Sequence, residues 1–565
     1  MSSLVVLPLL LLSVQATLIP REALFNDPKY SATSLSPDGK MFAYVAPDNA
    51  GARNVFVRCI SCKHTRQVTH EKKDILGYEW TGVEDIILFS QDNNGDENTM
   101  IFKKNISEAA PAHERTIVSA TPGIRATVVA NNKRANYVLI GLNDMTPAYH
   151  NVYRFDLTTN ELTLVLENKR FPIFVTDNDM RIRLAIEEQD DGTTAYFRPV
   201  GKAKEPLSSD KDQWVEYVRV QPDDKPITAP IAFDKDNEKI YWVWGEGTDL
   251  GNLVVAPFKN ISKREVLYTA TRAQIGQVFF HPQDKTLLAV SEFYHKPELY
   301  VANETVMEDF QYLTWLVTYL SAENPFEVFV YRRWLKTAEL LFNSHPDLEG
   351  YELNRQIGFD FQARDNLGYA ELGMIPAKPQ KMVVLVHGGP KARDVYGFNP
   401  MNAWLTSRGY AVLQVNFRGS VGFGKRLTNA GNGEWGRKMH YDLLDAVEFT
   451  AAKGIANRSQ VAIMGGSYGG YATLVGLTFT PDTFACGVDI VGPSNLVSLL
   501  EAVPPYWLGF YNDLTKMLGS DIDTEEGRQS LIARSPLFFA DRKPLMILHG
   551  ANDPRVKQHE SGPQK

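Results

Sequence analysis

The sequence has few cysteines and no long apolar run, and both absences restrict what the chain can be. Only 3 cysteines occur in 565 residues, so this is not a disulfide-dense scaffold. Cys59 and Cys62 have no second pair or histidine cluster nearby, which argues against a zinc site. We interpret them as a local disulfide or as two ordinary thiols. The apolar runs fall short of the roughly 20 residues that a membrane-spanning helix needs, so we predict no stable membrane span.

Charge of one sign is not concentrated anywhere in the chain. Lys and Arg number 59 against 67 Asp and Glu, for a net charge of −8, and charged residues make up 22% of the sequence. A nucleic-acid binder would need a basic stripe, which is missing, so we predict no nucleic-acid partner. The chain is too long for one hydrophobic core, so two or more domains are expected. No metal or organic cofactor is implied.

The first residues have the character of a signal peptide. An apolar run over residues 4–12 is followed by small residues that permit cleavage after Ala16, and no Lys or Arg precedes the run. We predict a signal peptide over residues 1–16 and a secreted or secretory-pathway location; the alternative is a buried N-terminal segment. Four Asn-x-Ser/Thr acceptors agree with export and are predicted glycosylation sites. They are Asn105, Asn260, Asn303 and Asn457.

The N-terminal half has the rhythm of an all-β structure. Short alternating segments, such as residues 41–45 after the turn Asp38-Gly39, are separated by turn residues over residues 25–345. Comparable units recur every 40 to 50 residues or so, which favours the blades of a propeller over a sandwich. We predict a β-propeller of about seven blades. Tryptophans in this half are interpreted as core residues of the blade interfaces. They are Trp80, Trp242 and Trp244.

After residue 350 the pattern changes to apolar strands that alternate with helices. Residues 382–386, 410–415 and 461–464 are nearly continuous apolar strands, and residues 441–453 are amphipathic with helical spacing. This alternation is typical of a parallel sheet covered on both faces. We predict an α/β domain over residues 350–565.

One motif in this domain carries chemistry. Residues 465–469 read GGSYG and fit G-x-S-x-G; an apolar strand precedes them and an apolar helix follows. That setting forces the hydroxyl of Ser467 out over the sheet edge as a nucleophile. Asp553 follows a later strand, and an α/β-hydrolase presents serine, then aspartate, then histidine along the chain. Asp553 is therefore the candidate triad acid; an Asx-turn at Asp553-Pro554 is a reasonable alternative and is compatible with the catalytic role.

Four motifs in this order resemble the signature of the prolyl oligopeptidase family of serine peptidases. They are residues 387–390 (HGGP), 416–420 (NFRGS), 466–471 (GSYGGY) and 549–553 (HGAND). The most similar branch is the acylaminoacyl-peptidase-like one, which includes proteins called dipeptidyl peptidases. The resemblance implies an α/β-hydrolase catalytic domain and a propeller that restricts access to it. Short peptides would then be the substrates.

The resemblance also assigns roles to residues of this chain. Ser467 is the nucleophile and Asp553 the acid. The backbone N–H groups of Tyr468 and of the turn Gly388-Gly389 form the oxyanion hole. Two further histidines, His387 and His549, belong to the family's framework and are interpreted as structural.

The family's catalytic histidine has no counterpart in this sequence. It lies some thirty residues beyond the aspartate in the family, whereas 12 residues follow Asp553 here and His559 is their only histidine. We identify no catalytic histidine, because His559 falls within the start of the expected helix. The α/β-hydrolase domain is expected to lack its last strand and helix. We favour a truncated or spliced product over a stable pseudoenzyme.

The function predicted from the sequence is hydrolysis of peptide bonds in short peptides through an acyl-enzyme on Ser467. Two alternatives stay open: an inactive isoform or pseudoenzyme that binds peptides, and an esterase on the same scaffold. The type of exopeptidase is also open. A dipeptidyl peptidase needs acidic side chains such as Glu187 and Glu188 to hold a free amino terminus, and an acylaminoacyl peptidase needs a neutral pocket. The sequence allows a homo-oligomer.

Overall fold

A computed structural model describes most of the chain with side chains. It covers residues 18–92, 95–119, 121, 123–201, 205–281, 284–302, 314–319, 321–332, 335–365, 378–503, 508–539, 543–553 and 555–562. The predicted signal peptide and the acceptor Asn303 lie outside these residues. In the part of the chain that is described, we find no helix with the length and apolarity needed to cross a membrane.

The N-terminal half is a propeller of seven antiparallel sheets, each a blade, as predicted. Blade 1 contains β1 Ser31–Leu35, β2 Met41–Pro47, β3 Arg53–Cys59 and β4 Thr65–Gln67, and blade 2 contains β5 Gly77–Trp80, β6 Ile86–Gln91, β7 Met100–Asn105 and β8 Thr116–Ser119. Blade 3 contains β9 Ala126–Ala130, β10 Tyr137–Thr146, β11 Tyr149–Asp156 and β12 Leu162–Glu167, and blade 4 contains β13 Ile173–Thr176, β14 Ile182–Glu188, β15 Thr194–Pro199 and β17 Trp214–Val220. A short strand, β16 Leu207–Ser208, leaves blade 4 and pairs in parallel with β12.

Blades 5 to 7 follow the same order along the chain. Blade 5 contains β18 Ala229–Phe233, β19 Lys239–Trp244, β20 Asn252–Pro257 and β21 Glu265–Thr269. Blade 6 contains β22 Ile275–Phe280, β23 Leu287–Phe293 and β24 Pro297–Val301. Blade 7 contains β25 Thr314–Tyr319, β26 Glu327–Arg332 and β27 Thr337–Asn343. Apart from β16, the strands of each blade pair with their neighbours within that blade, because the short turns between alternating segments keep these strands close together.

Buried aromatic side chains fill the spaces between blades. Trp242 is completely buried and meets Tyr196 of blade 4 edge-to-face, with ring centroids 4.9 Å apart. Trp80 and Trp244 are buried as well. The interpretation of these tryptophans as core residues is confirmed. Cys59 and Cys62, at the end of β3 and in the loop after it, form a disulfide.

The propeller closes between its first and last blades through side chains. Phe342 of blade 7 stacks on Tyr30, with ring centroids 4.6 Å apart, and also packs against Tyr44. An ion pair of 3.0 Å joins Lys63 to Glu339 across the same boundary. Among the described residues, no strand is shared between these two blades.

The C-terminal half is an α/β domain with a parallel sheet, as predicted, and its described residues contribute five strands to that sheet. Its strands, in sheet order, are β29 Tyr410–Gln414, β28 Gln380–Val386, β30 Ala456–Gly466, β31 Cys486–Ile490 and β32 Leu545–Leu548. The α-helices in the described residues are α1 Arg21–Phe25, α2 Pro400–Thr406, α3 Lys425–Asn429, α4 Lys438–Ala452, α5 Tyr468–Thr478, α6 Leu496–Glu501, α7 Leu508–Leu518 and α8 Glu525–Ile532. Helices α4 and α5 cover one face of the sheet and α2 the other.

The halves are in contact at several places, and two of these contact sets differ in character. At one of them, α1 precedes the propeller yet packs on α2, with the rings of Phe25 and Trp404 5.8 Å apart, and Arg408 donates to the Ile19 carbonyl at 3.2 Å. At the other, charged groups meet: Lys425 of α3 donates to the Gly245 carbonyl at 2.8 Å and also pairs with Asp224 of the propeller. The first set is apolar at its centre, and the second is polar.

Candidate active site

Ser467 lies on a sharp turn between β30 and α5. Its backbone has φ +55° and ψ −118°, a conformation that side chains rarely adopt. Glycines on either side allow the chain to turn this tightly, because a Cβ on Gly465 would lie 2.6 Å from the Val386 carbonyl oxygen and one on Gly469 only 2.1 Å from it. The Ser467 side chain is exposed. The strained turn therefore presents the hydroxyl outward, as a nucleophile elbow does.

The strained backbone at Ser467 predicts a difference between two small substitutions. Ser467→Gly will be more stable than Ser467→Ala by about 1–2 kcal/mol, because glycine tolerates positive φ and alanine does not. Both variants lose the hydroxyl, so the comparison isolates the backbone. Urea unfolding of the two proteins measures the difference. Equal free energies of unfolding would show that the turn stores no strain.

The predicted oxyanion turn lies beside this serine. A Cβ on Gly388 would be 3.5 Å from the Ser467 Cβ, and Gly389 has φ +116°. Tyr468 is the first residue of α5, where backbone N–H groups have no partner within the helix. The structure thus brings together Ser467, Tyr468 and the turn Gly388-Gly389. An oxyanion formed at Ser467 could accept hydrogen bonds from these N–H groups.

His387 holds the oxyanion turn in place. Its ring stacks on Phe417 with centroids 4.5 Å apart; Nδ1 lies 2.8 Å from the Gly388 carbonyl oxygen, and Nε2 lies 2.9 Å from the Ser420 hydroxyl. Burial lowers the pKa of His387 to about 4, so the ring is neutral at pH 7. With Nδ1–H donating to the carbonyl, Nε2 accepts from Ser420. These contacts agree with the structural role that the family motif implies.

Asp553 is engaged in a local turn. Its Oδ1 accepts hydrogen bonds from the backbone N–H groups of Arg555 at 2.8 Å and Val556 at 2.9 Å, which is an Asx-turn. His549 directs Nε2 to the Val556 carbonyl at 2.8 Å and bonds the Ser561 hydroxyl through Nδ1. The turn interpretation is therefore seen in the structure, and the role of Asp553 as triad acid stays a prediction.

The hydroxyl of Ser467 has no hydrogen-bond partner among the described residues. Its backbone is hydrogen-bonded: the Ser467 N–H donates to the Ile490 carbonyl at 2.9 Å, and the Ser467 carbonyl accepts from the Tyr471 N–H at 3.0 Å. His559 pairs with Glu560, with His559 Nε2 3.5 Å from Glu560 Oε1. The described residues therefore place the candidate nucleophile and the candidate oxyanion donors together, and they place no base against the hydroxyl.

The acidic pair Glu187 and Glu188 is ion-paired within the chain. Arg170 donates to both carboxylate oxygens of Glu187, at 2.8 and 2.7 Å. Lys225 lies 2.6 Å from Glu188 and 2.8 Å from Asp513 of α7. Neither glutamate is therefore an unpaired carboxylate in solvent. Glu188 instead belongs to a chain of charges that reaches from the propeller to the α/β domain.

Sequence reasoning missed the ion pairs beneath the site. Arg418, in the motif NFRGS, donates to Asp442 through Nε at 2.8 Å and Nη2 at 2.7 Å, and to Asp365 through Nη1 at 2.9 Å. It also missed Asp489, a buried carboxyl in β31 that accepts from the Gly492 N–H at 2.8 Å. Burial raises the pKa of Asp489 to about 7. The only signal in the sequence was a single acidic residue within an apolar strand.

Comparison with known proteins identifies relatives of the whole chain. A model described as the prolyl oligopeptidase family matches residues 396–562. Dipeptidyl peptidase family member 6 of Caenorhabditis elegans is 60% identical, over 98% of this chain and 82% of that protein. Dipeptidyl aminopeptidase BIII of Pseudoxanthomonas mexicana is 37% identical, over 96% and 82%. A puromycin-hydrolyzing peptidase of Mycobacterium tuberculosis shares the fold, with a TM-score of 0.71, 18% identity and coverage of 96% and 88%.

Proposed function

This chain belongs to the prolyl oligopeptidase family, and from that premise we propose that it is a serine peptidase that cleaves short peptides through an acyl-enzyme on Ser467. The observation that carries the proposal is the geometry at the elbow. Ser467 is exposed on a turn with φ +55°, and Gly388 of the oxyanion turn lies against it. A strained serine beside unpaired backbone donors is the arrangement that acyl transfer requires.

In the proposed reaction the Ser467 oxygen attacks the carbonyl carbon of the scissile bond. The carbonyl oxygen becomes an anion, which accepts hydrogen bonds from the N–H groups of Tyr468 and the turn Gly388-Gly389. The hydroxyl proton passes to a base and from it to the leaving amine, and water then hydrolyses the acyl-enzyme. The identity of the base is not part of the proposal, because no described side chain reaches the hydroxyl.

Within this proposal we favour release of dipeptides over removal of acylated residues. Two relatives match this chain over 82% of their own length, and both have names that describe dipeptidyl peptidases. Glu188 is a candidate anchor for the substrate's amino terminus, in exchange with Lys225. Lys391, two residues beyond the oxyanion turn, lies 3.8 Å from the same Asp513 that pairs with Lys225. The charge network thus links the candidate anchor to the turn.

The proposal is tested with a fluorophosphonate probe and three chromogenic substrates. We expect the probe to label the chain and Ser467→Ala to lose the label, while Ser61→Ala, a control at an exposed serine of the propeller, keeps it. A dipeptide nitroanilide with a free amino terminus should be cleaved in preference to its N-acetylated form. Faster cleavage of the acetylated substrate would reverse the exopeptidase assignment. Turnover of a nitrophenyl ester alone would identify an esterase.

A second candidate is a protein that binds peptides without cleaving them. One observation favours it: the Ser467 hydroxyl is without a hydrogen-bond partner among the described residues. In that case calorimetry would show that the chain binds a short peptide with a free amino terminus, but the chain would hydrolyse neither the free nor the N-acetylated nitroanilide. Ser467→Ala would then bind the peptide as tightly as the parent. The two candidates differ in turnover, so one set of assays separates them.

We propose that the protein is secreted and that Asn105 and Asn260 carry N-linked glycans. Both are exposed, whereas Asn457 is half-buried at the start of β30. The Ser107 N–H donates to the side-chain oxygen of Asn105 at 2.9 Å, and the Ser262 N–H donates to that of Asn260 at 3.1 Å. Each of the two glycan acceptors therefore lies in a turn.

This assignment predicts which acceptors are used. Secretion from a eukaryotic cell line should give a protein whose mass falls on treatment with N-glycosidase. Asn105→Gln and Asn260→Gln should each remove one glycan, because both side chains are open to the transferase, and Asn457→Gln should remove less. Retention of all glycans in the first two variants would refute the assignment, and failure of secretion would refute the predicted signal peptide.

A further inference from the structure

A cavity of about 320 Å³ lies between the two halves of the chain. Its walls come from blade 6, at Tyr294 and His295, from residues 353–361, and from Asp394 to β29 in the α/β domain. The size is that of pockets that hold small organic ligands, which span roughly 300–1,000 Å³. None of the residues assigned above to the nucleophile or the oxyanion hole lines it.

Two oxygen atoms at this cavity lack donors. The Asp394 Oδ1 accepts from Gln414 Nε2 at 2.7 Å, while Asp394 Oδ2 is buried with no partner in the described part of the chain. Asn402 Nδ2 donates to Gln414 Oε1 at 2.7 Å, which leaves Asn402 Oδ1 buried and likewise unpaired there. An ionised carboxylate can only accept, so Asp394 fixes the orientation of both amides. What remains is a pair of acceptors.

The other charged groups of the cavity wall are already paired. The Asp360 carboxylate accepts from the Tyr294 hydroxyl at 2.9 Å and lies 3.1 Å from His295 Nε2. Arg355 is directed to solvent, where it lies 3.3 Å from Glu323. In the described residues, none of these groups donates a hydrogen bond to Asp394.

The neighbouring Arg393 does not neutralise Asp394 by a hydrogen bond. Its two terminal nitrogens donate to the carbonyl oxygens of Phe293 at 2.8 Å and Tyr294 at 3.0 Å, and it does not line the cavity. Burial raises the pKa of Asp394 to about 7, even though the hydrogen bond from Gln414 and the charge of Arg393 both lower it. A buried carboxylate in this condition gains most from a donor that also carries positive charge.

We propose that this cavity binds a small organic cation, an amidinium, guanidinium or primary ammonium on an apolar body. Asp394 Oδ2 and Asn402 Oδ1 accept the N–H groups of its head, and the apolar side chains of the walls, such as Phe359 and Val412, contact its body. A cation supplies donors without adding acceptors, which matches the two unpaired oxygens. The site is distinct from Ser467, so the proposal does not depend on the proposed peptidase activity.

The test is calorimetric titration of the full chain with benzamidinium, neutral benzamide and anionic benzoate, which have nearly the same shape. We expect benzamidinium to bind at least about tenfold more tightly than benzamide, since a hydrogen bond to a charged group contributes roughly 1.5–3 kcal/mol. Benzoate should not bind. Asp394→Asn should weaken benzamidinium by a similar factor, and the surface control Asp482→Asn should leave it unchanged. Ser467→Ala should also bind as the parent does.

Equal binding of benzamidinium and benzamide by the parent chain would overturn the proposal without any variant. So would equal affinity of Asp394→Asn and Asp482→Asn for benzamidinium, because the cation would then be held elsewhere. If Asp394→Asn fails to fold, Asn402→Leu takes its place. That variant removes one acceptor and keeps the charge, and we expect it to weaken benzamidinium about threefold or more, which corresponds to a single lost hydrogen bond. An unchanged affinity would count against the site.

Discussion

Replacing Arg418 with methionine will lower the free energy of unfolding by about 3–5 kcal/mol, among the largest effects of any single substitution in the α/β domain. The guanidinium is 5% exposed and holds two carboxylates, one of them, Asp442, only 3% exposed. Methionine keeps most of the volume but leaves Asp442 as a buried charge with no cation. Burial already raises the pKa of Asp442 despite its pairing with Arg418. Without the guanidinium, the charged form of this carboxylate is therefore strongly disfavoured in the folded protein, and the free energy of unfolding falls.

Urea unfolding at pH 7 measures this loss, and an exposed ion pair provides the control. Arg458 lies 2.6 Å from Glu448, with side chains 39% and 59% exposed. Arg458→Met should therefore cost less than about 1 kcal/mol. Adding Asp442→Leu to Arg418→Met should restore part of the stability, because the double variant no longer buries an unpaired charge. If the two arginine variants lose the same amount, the buried pair is not a determinant of stability.

The second large effect concerns the elbow. Gly469→Ala will lower the free energy of unfolding by about 4 kcal/mol or more and will abolish labelling of Ser467, because the added methyl would lie 2.1 Å from the Val386 carbonyl oxygen. The obstacle is backbone on a central strand, which cannot rotate away as a side chain could. Either β28 or α5 must shift, and each carries part of the site: the oxyanion turn follows β28, and Ser467 precedes α5.

A glycine without near neighbours serves as the control for this substitution. A Cβ on Gly550 would meet nothing within 4 Å, so Gly550→Ala should stay within about 0.5 kcal/mol of the parent. Fluorophosphonate labelling and urea unfolding are measured on both variants. A labelled and stable Gly469→Ala protein would mean that the close approach of α5 to β28 is not needed for the elbow.

The fold could be predicted because its signals are local. Short alternating segments and turns such as Asp38-Gly39 specify strands that pair with their sequence neighbours, and the structure has seven such sheets. The elbow was equally local: Ser467 and its glycines are adjacent in the chain. By contrast, the contact of Gly388 with Ser467 follows from the neighbouring positions of β28 and β30 in the sheet. The family motif implied that neighbourhood, and spacing alone could not.

What the sequence could not reveal are the partners of charged residues. Arg418 joins Asp442 and Asp365, which are 24 and 53 residues away in the chain. Glu188 and Lys225 meet Asp513 across the two halves. Charged side chains have no periodicity that identifies a partner, since an ion pair depends on which elements the fold brings together. For the same reason the acceptors around Asp394 become visible only when blade 6 and the α/β domain are placed side by side.

The packing of α1 on α2 has a consequence for how the chain acquires its structure during synthesis. Ribosomes release the chain from its N-terminus, so Phe25 and Ile19 leave the tunnel well before Trp404 and Arg408, the residues they contact. Each propeller blade consists almost entirely of contiguous chain and can form as it emerges. The first helix cannot, and its apolar side chains must wait uncovered until the α/β domain has been translated. A chaperone that engages nascent chains would therefore have a target here, at a segment that can dock only after residues 400–408 have been made.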